Sequence, residues 1–292
     1  MPDPVPTLVE PEWLESHLQD PDLRVVDCTV HLTYDNETGE MNGESGRSDW
    51  ADSHIPGSVF VDLFEDLSET DDPEYSFQLP ASEEFAAEME SAGIGDDTRV
   101  VAYDDPRDDL SNEWAARFWW MLQAYGHEQV GVLNGGWKRW TRENRPVSDK
   151  SPPTREVTFT PDFRPERHAD KDDVVDYVSE ETETDACVVN ALWQDDYAEL
   201  RIPNSENVPS VGEQAIIDTE TNTYLPTDEI RRRFRQAGAT DDAKVVTYCG
   251  GGIAASSAAL AARAAGFEDV AVYDGSMEEW RADPDLPTAS DD

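Results

Sequence analysis

A chain of 292 residues with 38% hydrophobic residues and nine tryptophans has enough apolar material for one large packed domain or two ordinary ones, which excludes global disorder despite 30% charged residues. With 65 acidic residues against 22 basic ones, four of them lysine, the formal net charge is -43, and a nucleic-acid partner is disfavoured because phosphate binding needs clustered Lys and Arg. No apolar run approaches the ~20 residues of a membrane span, and Met1-Pro2-Asp3-Pro4 lacks the basic start and apolar stretch of a secretion signal, so a soluble cytoplasmic protein is expected.

The acids are spread through both halves. This leaves an acidic protein that docks on basic partners, or one adapted to concentrated salt. At molar ionic strength the Debye length falls to ~3 Å and self-repulsion is screened, so dispersed acid with scarce lysine favours the second.

Along the chain the elements occur twice. Val25-Val26 precedes Cys28 as a short apolar run, and His54-Ile55-Pro56-Gly57-Ser58 follows. Leu79-Pro80 opens a helix ending at Gly93, and Arg99-Val100-Val101-Ala102-Tyr103-Asp104 reads as a buried strand with an acid at its tip. A helix over Asn112–Tyr125 carries Trp114, Phe118, Met121 and Leu122 at helical spacing, a pattern of packing rather than of a cofactor box. Asn134-Gly135 and Trp140 close the set. Five prolines (Pro146, Pro152, Pro153, Pro161, Pro165) then resist both helix and central strand, which predicts a linker over 146–165 between domains at 1–145 and 166–292.

The second half repeats the order: Cys187–Asn190, Arg201-Ile202-Pro203-Asn204-Ser205, a helix from Leu225-Pro226 to Gly238, then Lys244-Val245-Val246-Thr247-Tyr248-Cys249. An alanine-rich helix over Ile253–Ala265 stops at Gly266, a strand covers Val270–Tyr273, and Asp274-Gly275 and Trp280 end the copy. Strands separated by helices imply, in each copy, an α/β fold with a parallel sheet and helices on both faces.

Chemistry concentrates at Cys249. In parallel α/β sheets, ligands bind beyond the carboxyl ends of the strands. Cys249 ends one and opens the loop Gly250-Gly251-Gly252-Ile253-Ala254-Ala255, whose backbone N–H groups, with the dipole of the following helix, can hold an anion without a charged side chain. Bringing a thiol from ~8.5 to ~6.5 needs ~2.7 kcal/mol of preference for the thiolate. A helix terminus gives ~0.3–1 and at most ~2 kcal/mol, so loop amides at ~1.5–3 kcal/mol each must supply much of it. Cys28 and Cys187 flank valine pairs and read as packing; three cysteines give neither a disulfide framework nor the spacing of a zinc site, and no metal or organic cofactor is called for. His54 sits in the half with no cysteine nucleophile, and His17, His31, His127 and His168 have no acidic or cysteine partner at ligand spacing.

Rival readings fail on named residues. Gly250-x-Gly252-x-x-Ala255 mimics a dinucleotide fingerprint, but only 18 residues follow Asp274, and the first copy has Asp-Asp-Pro in place of the glycines. A cysteine phosphatase needs arginine six residues after its nucleophile, where this chain has Ala255. A non-catalytic module that binds a partner or carries sulfur remains as a reading of another class.

Through His54-Ile55-Pro56-Gly57-Ser58, Arg117-Phe118-Trp119-Trp120, Asn134-Gly135-Gly136-Trp137 and the cysteine at the strand tip, the chain resembles, over nearly its whole length, the tandem-domain rhodanese family of sulfurtransferases. The resemblance implies two tandem domains of one fold, with an inactive first domain in which Asp104 stands at the cysteine position. It implies that Cys249 becomes a persulfide, moving sulfur from thiosulfate, or alternatively 3-mercaptopyruvate, to cyanide or a thiol. The chain departs from the family's pattern at three places. The loop holds no Arg or Lys, Gly251 and Ala254 stand where mercaptopyruvate members carry Ser and Thr, and Asn190-Ala191-Leu192 replaces Asp-x-Arg. Arg201, at the histidine of His-Ile-Pro-Gly, is either a substitute substrate cation or a surface arginine.

Overall fold

The computed structural model describes residues 4–34, 41–69, 71, 73–105, 113–179 and 185–291. The chain divides into two compact units, Met1–Glu69 with Leu79–Phe163 and Thr70–Gln78 with Arg164–Asp292. Each is an α/β domain on a five-stranded, all-parallel sheet.

In the first unit the strand order is Leu8–Val9, Val130–Leu133, Arg99–Tyr103, Leu23–Asp27, Val59–Phe60. In the second it is His168–Ala169, Val270–Tyr273, Lys244–Tyr248, Ala186–Asn190, Glu206–Asn207. The two orders match element for element. Leu23–Asp27 and Arg99–Tyr103 are buried throughout, as strands covered on both faces must be, which is why they read as continuous valine-rich runs rather than alternating ones.

The duplication extends to single bonds. Ile55 N donates to the Tyr103 hydroxyl at 3.3 Å, and Ile202 N to that of Tyr248 at 3.0 Å. Ser58 and Ser205 meet the same hydroxyls at 3.2 and 2.7 Å. Trp140 Nε1 donates to Pro146 O at 2.7 Å, Trp280 Nε1 to Pro287 O at 2.8 Å. The repeated Ile-Pro-x-Ser motif therefore works by satisfying a buried tyrosine at the centre of each sheet.

The helix of the first unit spans Glu113–Ala124 and is buried at every position, including Arg117 and Gln123; residue 112 lies outside the described set. Its counterpart is Ile253–Ala264. The helices opened by Leu-Pro span Ser82–Ser91 and Thr227–Gln236. The proline-rich stretch up to Phe163 lies with the first unit: Asp96 N donates to Thr158 O at 3.0 Å, Thr160 N to Asp96 Oδ1 at 2.7 Å, and Phe159 meets Phe85 edge-on at 5.6 Å. Proline denies this segment a ladder, but the residues between the prolines still bond outward. No helix among the described residues is long and apolar enough to cross a membrane.

Candidate active site

Lys244–Tyr248 ends at Cys249, which is 3% exposed. Its backbone is stitched to the start of the helix Ser276–Ala282. Cys249 N donates to Ser276 Oγ at 3.1 Å, Met277 N to Cys249 O at 3.0 Å, and Glu278 N to Gly250 O at 3.0 Å. Ser276 Oγ in turn donates to Tyr273 O at 2.8 Å. The backbone of Cys249 is thus fixed by the strand end and helix start that follow it in sequence.

The three glycines serve different ends. Only Gly252 takes a left-handed conformation, φ +82°, which lets the chain turn into Ile253–Ala264. Gly250 has open space where a Cβ would stand. A Cβ on Gly251 would meet Glu278 Oε2 at 3.5 Å and Phe77 Cδ2 at 3.9 Å, ordinary contacts. Gly250 and Gly251 therefore leave the mouth of the loop bare, and a serine at Gly251 would fit. Further along, Ser210 Oγ donates to Ala254 O at 3.0 Å and Thr247 Oγ1 to Ala255 O at 2.9 Å, which anchors the loop through its carbonyls. Among the described residues, no backbone N–H from Gly250 to Ala255 donates to a protein acceptor.

The first unit shows what those N–H groups can do. Asp104, 2% exposed, stands at the position of Cys249, and Trp137 N donates to its carbonyl at 3.0 Å as Met277 N does to Cys249. Asp104 Oδ2 accepts from Trp114 N at 3.0 Å and Ala115 N at 3.1 Å, the first turn of Glu113–Ala124. Counting back from Gly126 and Gly266, the equivalent residues in the second unit are Ala254 and Ala255. One copy holds a carboxylate on its helix terminus; the other places a cysteine there and leaves the same amides unengaged. Burial still raises Asp104 to about 7, against the hydrogen bonds from Ala115 and Trp114 that pull it down.

Three features of the site had no signal in the sequence. The segment Thr70–Gln78, from the first half of the chain, belongs with the second unit. Its Ser76 holds the Glu278 carboxylate through N at 3.0 Å and Oγ at 2.9 Å, and its Tyr75 donates to Asp274 Oδ2 at 3.3 Å. A carboxylate consequently flanks the loop mouth beside Gly251. At the end of Ala186–Asn190, Asn190 Oδ1 accepts from Leu192 N at 2.8 Å, so this side chain closes its own turn.

The guanidinium of Arg201 has partners outside the loop. It pairs with Asp291 at 2.7 Å, donates to Tyr197 O at 3.2 Å and lies over the Tyr197 ring at 4.8 Å, while the backbone of Arg201 bridges Ala289. His54, its counterpart, does the same work: it stacks on Trp50, meets Trp50 O at 2.6 Å and bridges Ser148. The arginine replaces a structural histidine, and the reading of it as a substrate cation has no geometric support.

Cys28 is buried with its thiol 3.9 Å from Val26 O, and burial, then Asp27 and Asp104, push it well above the usual thiol range. Cys187 is 3.1 Å from Ala237 O and is pushed up to about 11 by burial. His31, without a partner by sequence spacing, meets Asp49 at 2.8 Å across the fold.

Both halves match the model of the rhodanese-like domain, over residues 10–143 and 170–283. The chain is 30% identical to the 3-mercaptopyruvate sulfurtransferase of Escherichia coli K12, covering 94% of this chain and 95% of that one. It is also 30% identical to the thiosulfate sulfurtransferase of Rattus norvegicus, covering 95% and 93%. The crystal structure of SseA, a 3-mercaptopyruvate enzyme of Escherichia coli, superposes with a TM-score of 0.75 at 27% identity over 93% of this chain and 99% of that one. The chain belongs to the rhodanese family of sulfurtransferases and carries its domain twice.

Proposed function

We propose that Cys249 is the sulfur carrier of this transferase, with the N–H groups of Gly250, Gly251, Gly252, Ile253, Ala254 and Ala255 as its anion cradle. The thiolate attacks the outer sulfur of thiosulfate, the donor's S–S bond breaks, and sulfite leaves with the electron pair. A new S–S bond now joins Cys249 to the transferred sulfur. Cyanide or a thiol attacks that outer sulfur, and the electrons of the broken bond return to Cys249 as thiolate. With 3-mercaptopyruvate the broken bond is C–S, and the pyruvate carbanion takes up a proton on leaving. The observation that carries this reading is the first unit's carboxylate, held by the very amides whose counterparts face no acceptor beside Cys249.

Donor choice follows from charge. No Arg or Lys lies in the loop, Arg201 is engaged by Asp291, and Glu278 stands at the mouth, so the loop offers an anionic donor its backbone amides beside one repelling carboxylate. Concentrated salt screens that repulsion. The scarcity of lysine and the dispersed acid support a cytoplasmic enzyme adapted to such salt. Thiosulfate is the first donor to test and 3-mercaptopyruvate the second.

Steady-state assays of each donor at high salt test the proposal. Cys249→Ser is expected to lose on the order of a thousandfold or more in kcat/KM. Full activity in that variant would remove Cys249 from the mechanism. Glu278→Gln is expected to lower KM for either donor by roughly threefold to tenfold with kcat unchanged, since it removes ground-state repulsion alone. Should neither donor turn over while a sulfur-loaded thiol protein still charges Cys249, the chain is a sulfur-binding module rather than a small-donor enzyme.

A further inference from the structure

The first unit contains a second concentration of chemistry, unrelated to the cysteine loop. Arg24 lies on the strand Leu23–Asp27, next to the central one, and is 2% exposed. Among the described residues its guanidinium forms no hydrogen bond and no ion pair, and its Nε is a buried donor without an acceptor. Beside it lies Arg155, from the proline-rich stretch, also without an ion pair within 4 Å among the described residues. Gly93 bridges the two: a Cβ there would collide with Arg24 Nη2 and stand 3.2 Å from Arg155 Cβ. Both arginines line, together with Arg47, a cavity of about 230 Å3.

This arrangement is out of character for the chain. With 65 acids for 22 bases, a cation has carboxylates in excess to choose from, and Arg99, Arg139, Arg145 and Arg235 each take one or more. Arg24 is instead left facing a like charge. The two carboxylates that line the cavity do not neutralise it. Asp66 is taken by Arg47 at 3.1 Å, and Glu88 forms no ion pair with Arg24 among the described residues. Burial and then Arg155 pull Arg24 down to about 10, which still leaves it cationic at neutral pH. A buried charge without a partner costs several kcal/mol, and a ligand that pairs with it recovers that cost.

We propose that the pocket of Arg24, Arg47 and Arg155 binds a small inorganic oxyanion of the sulfate and phosphate type. Two guanidinium forks present planar pairs of N–H donors, which match the oxygen pairs of a tetrahedral oxyanion, and the hydroxyls of Ser91, Ser151 and Thr154 line the same cavity. The anion bridges the strand Leu23–Asp27, through Arg24, to the stretch after residue 146, through Arg155.

Sulfate stabilises proteins generally by exclusion from their surface, so a melting temperature alone does not test this. The test is a titration of the arginine-labelled protein with sulfate against chloride at matched ionic strength, followed by the 15N signals of arginine Nε–H. One buried Nε–H, identified by its loss in Arg24→Lys, is expected to shift saturably with sulfate and not with chloride. Arg155→Met, at the rim, is expected to fold normally and to raise the half-saturating concentration at least about fivefold. If Arg24→Lys fails to fold, the rim variant carries the test alone. Phosphate in a parallel titration distinguishes the two ions by its own half-saturation. Equal response to sulfate and chloride, or an Arg155→Met titration indistinguishable from wild type, would overturn the proposal.

Discussion

Ser276 holds a backbone conformation, φ +49°, that its first-unit counterpart Gly136 meets with glycine at φ +51°. A non-glycine residue pays roughly 1–2 kcal/mol for it. The hydroxyl explains why serine stands there: it accepts the N–H of Cys249 and donates to Tyr273 O, so it fixes the backbone of the proposed sulfur carrier. Ser276→Gly relieves the strain but leaves the Cys249 N–H without its acceptor, a loss of about 0.5–1.5 kcal/mol of positioning. Its melting temperature is expected to stay within about 2 °C of wild type while sulfur transfer falls about tenfold. Ser276→Ala keeps the strain, loses both bonds, and is expected to lose stability as well as rate. A glycine variant with full activity would show that the hydroxyl serves packing alone. Gly252 was legible as a conformational requirement because a helix start after glycine is a common turn; that Gly250 and Gly251 serve openness instead was not, since a run of glycines looks the same for either purpose.

At the scale of the helix and its terminus, the two copies put opposite demands on one device. The amides at the start of Glu113–Ala124 hold the Asp104 carboxylate, yet burial dominates: Asp104 is raised to about 7, Glu113 to about 8 by burial and then Asp104, and Asp27 to about 6 by burial. These groups keep their protons in the folded chain at pH values where the unfolded chain has released them. Their stabilisation is fully present below about pH 4 and is lost as pH rises to about 8. Asp104→Asn removes one titrating carboxylate of this cluster and its charge beside Glu113, while leaving an acceptor for Trp114 and Ala115. The slope of melting temperature against pH between 5 and 8 is expected to be shallower in the variant, and an unchanged slope would place the pH dependence elsewhere. The helices themselves were readable from their apolar spacing and glycine stops, and the observed bounds fall within one to three residues of the expected ones, the alanine-rich helix ending at Ala264. What spacing could not give is that Glu113–Ala124 is buried on every side, polar positions included, because periodicity reports one covered face and not two.

For the molecule as a whole, the duplication was the most legible feature, since both copies keep the same elements in the same order and even the same tyrosine and tryptophan bonds. The membership of Thr70–Gln78 in the second unit was not legible, because a short polar segment without periodicity carries no mark of where it packs. The same holds for Arg201, whose identity as a cation drew attention, while its Asp291 partner lies 90 positions away in sequence. The three cysteines now separate on physical grounds. Cys187 lies in its strand and Cys28 just past the end of one, both with thiols pushed up by burial, whereas Cys249 opens a loop whose neighbours Gly250 and Gly251 reach solvent. Intact-mass spectrometry after exposure to thiosulfate, with peptide mapping, tests this most directly. The account predicts a single gain of about 32 Da, one sulfur atom, located on Cys249, removed by cyanide and absent in Cys249→Ser. Sulfur loaded on Cys28 or Cys187, or a Cys249→Ser protein that still gains it, would contradict it.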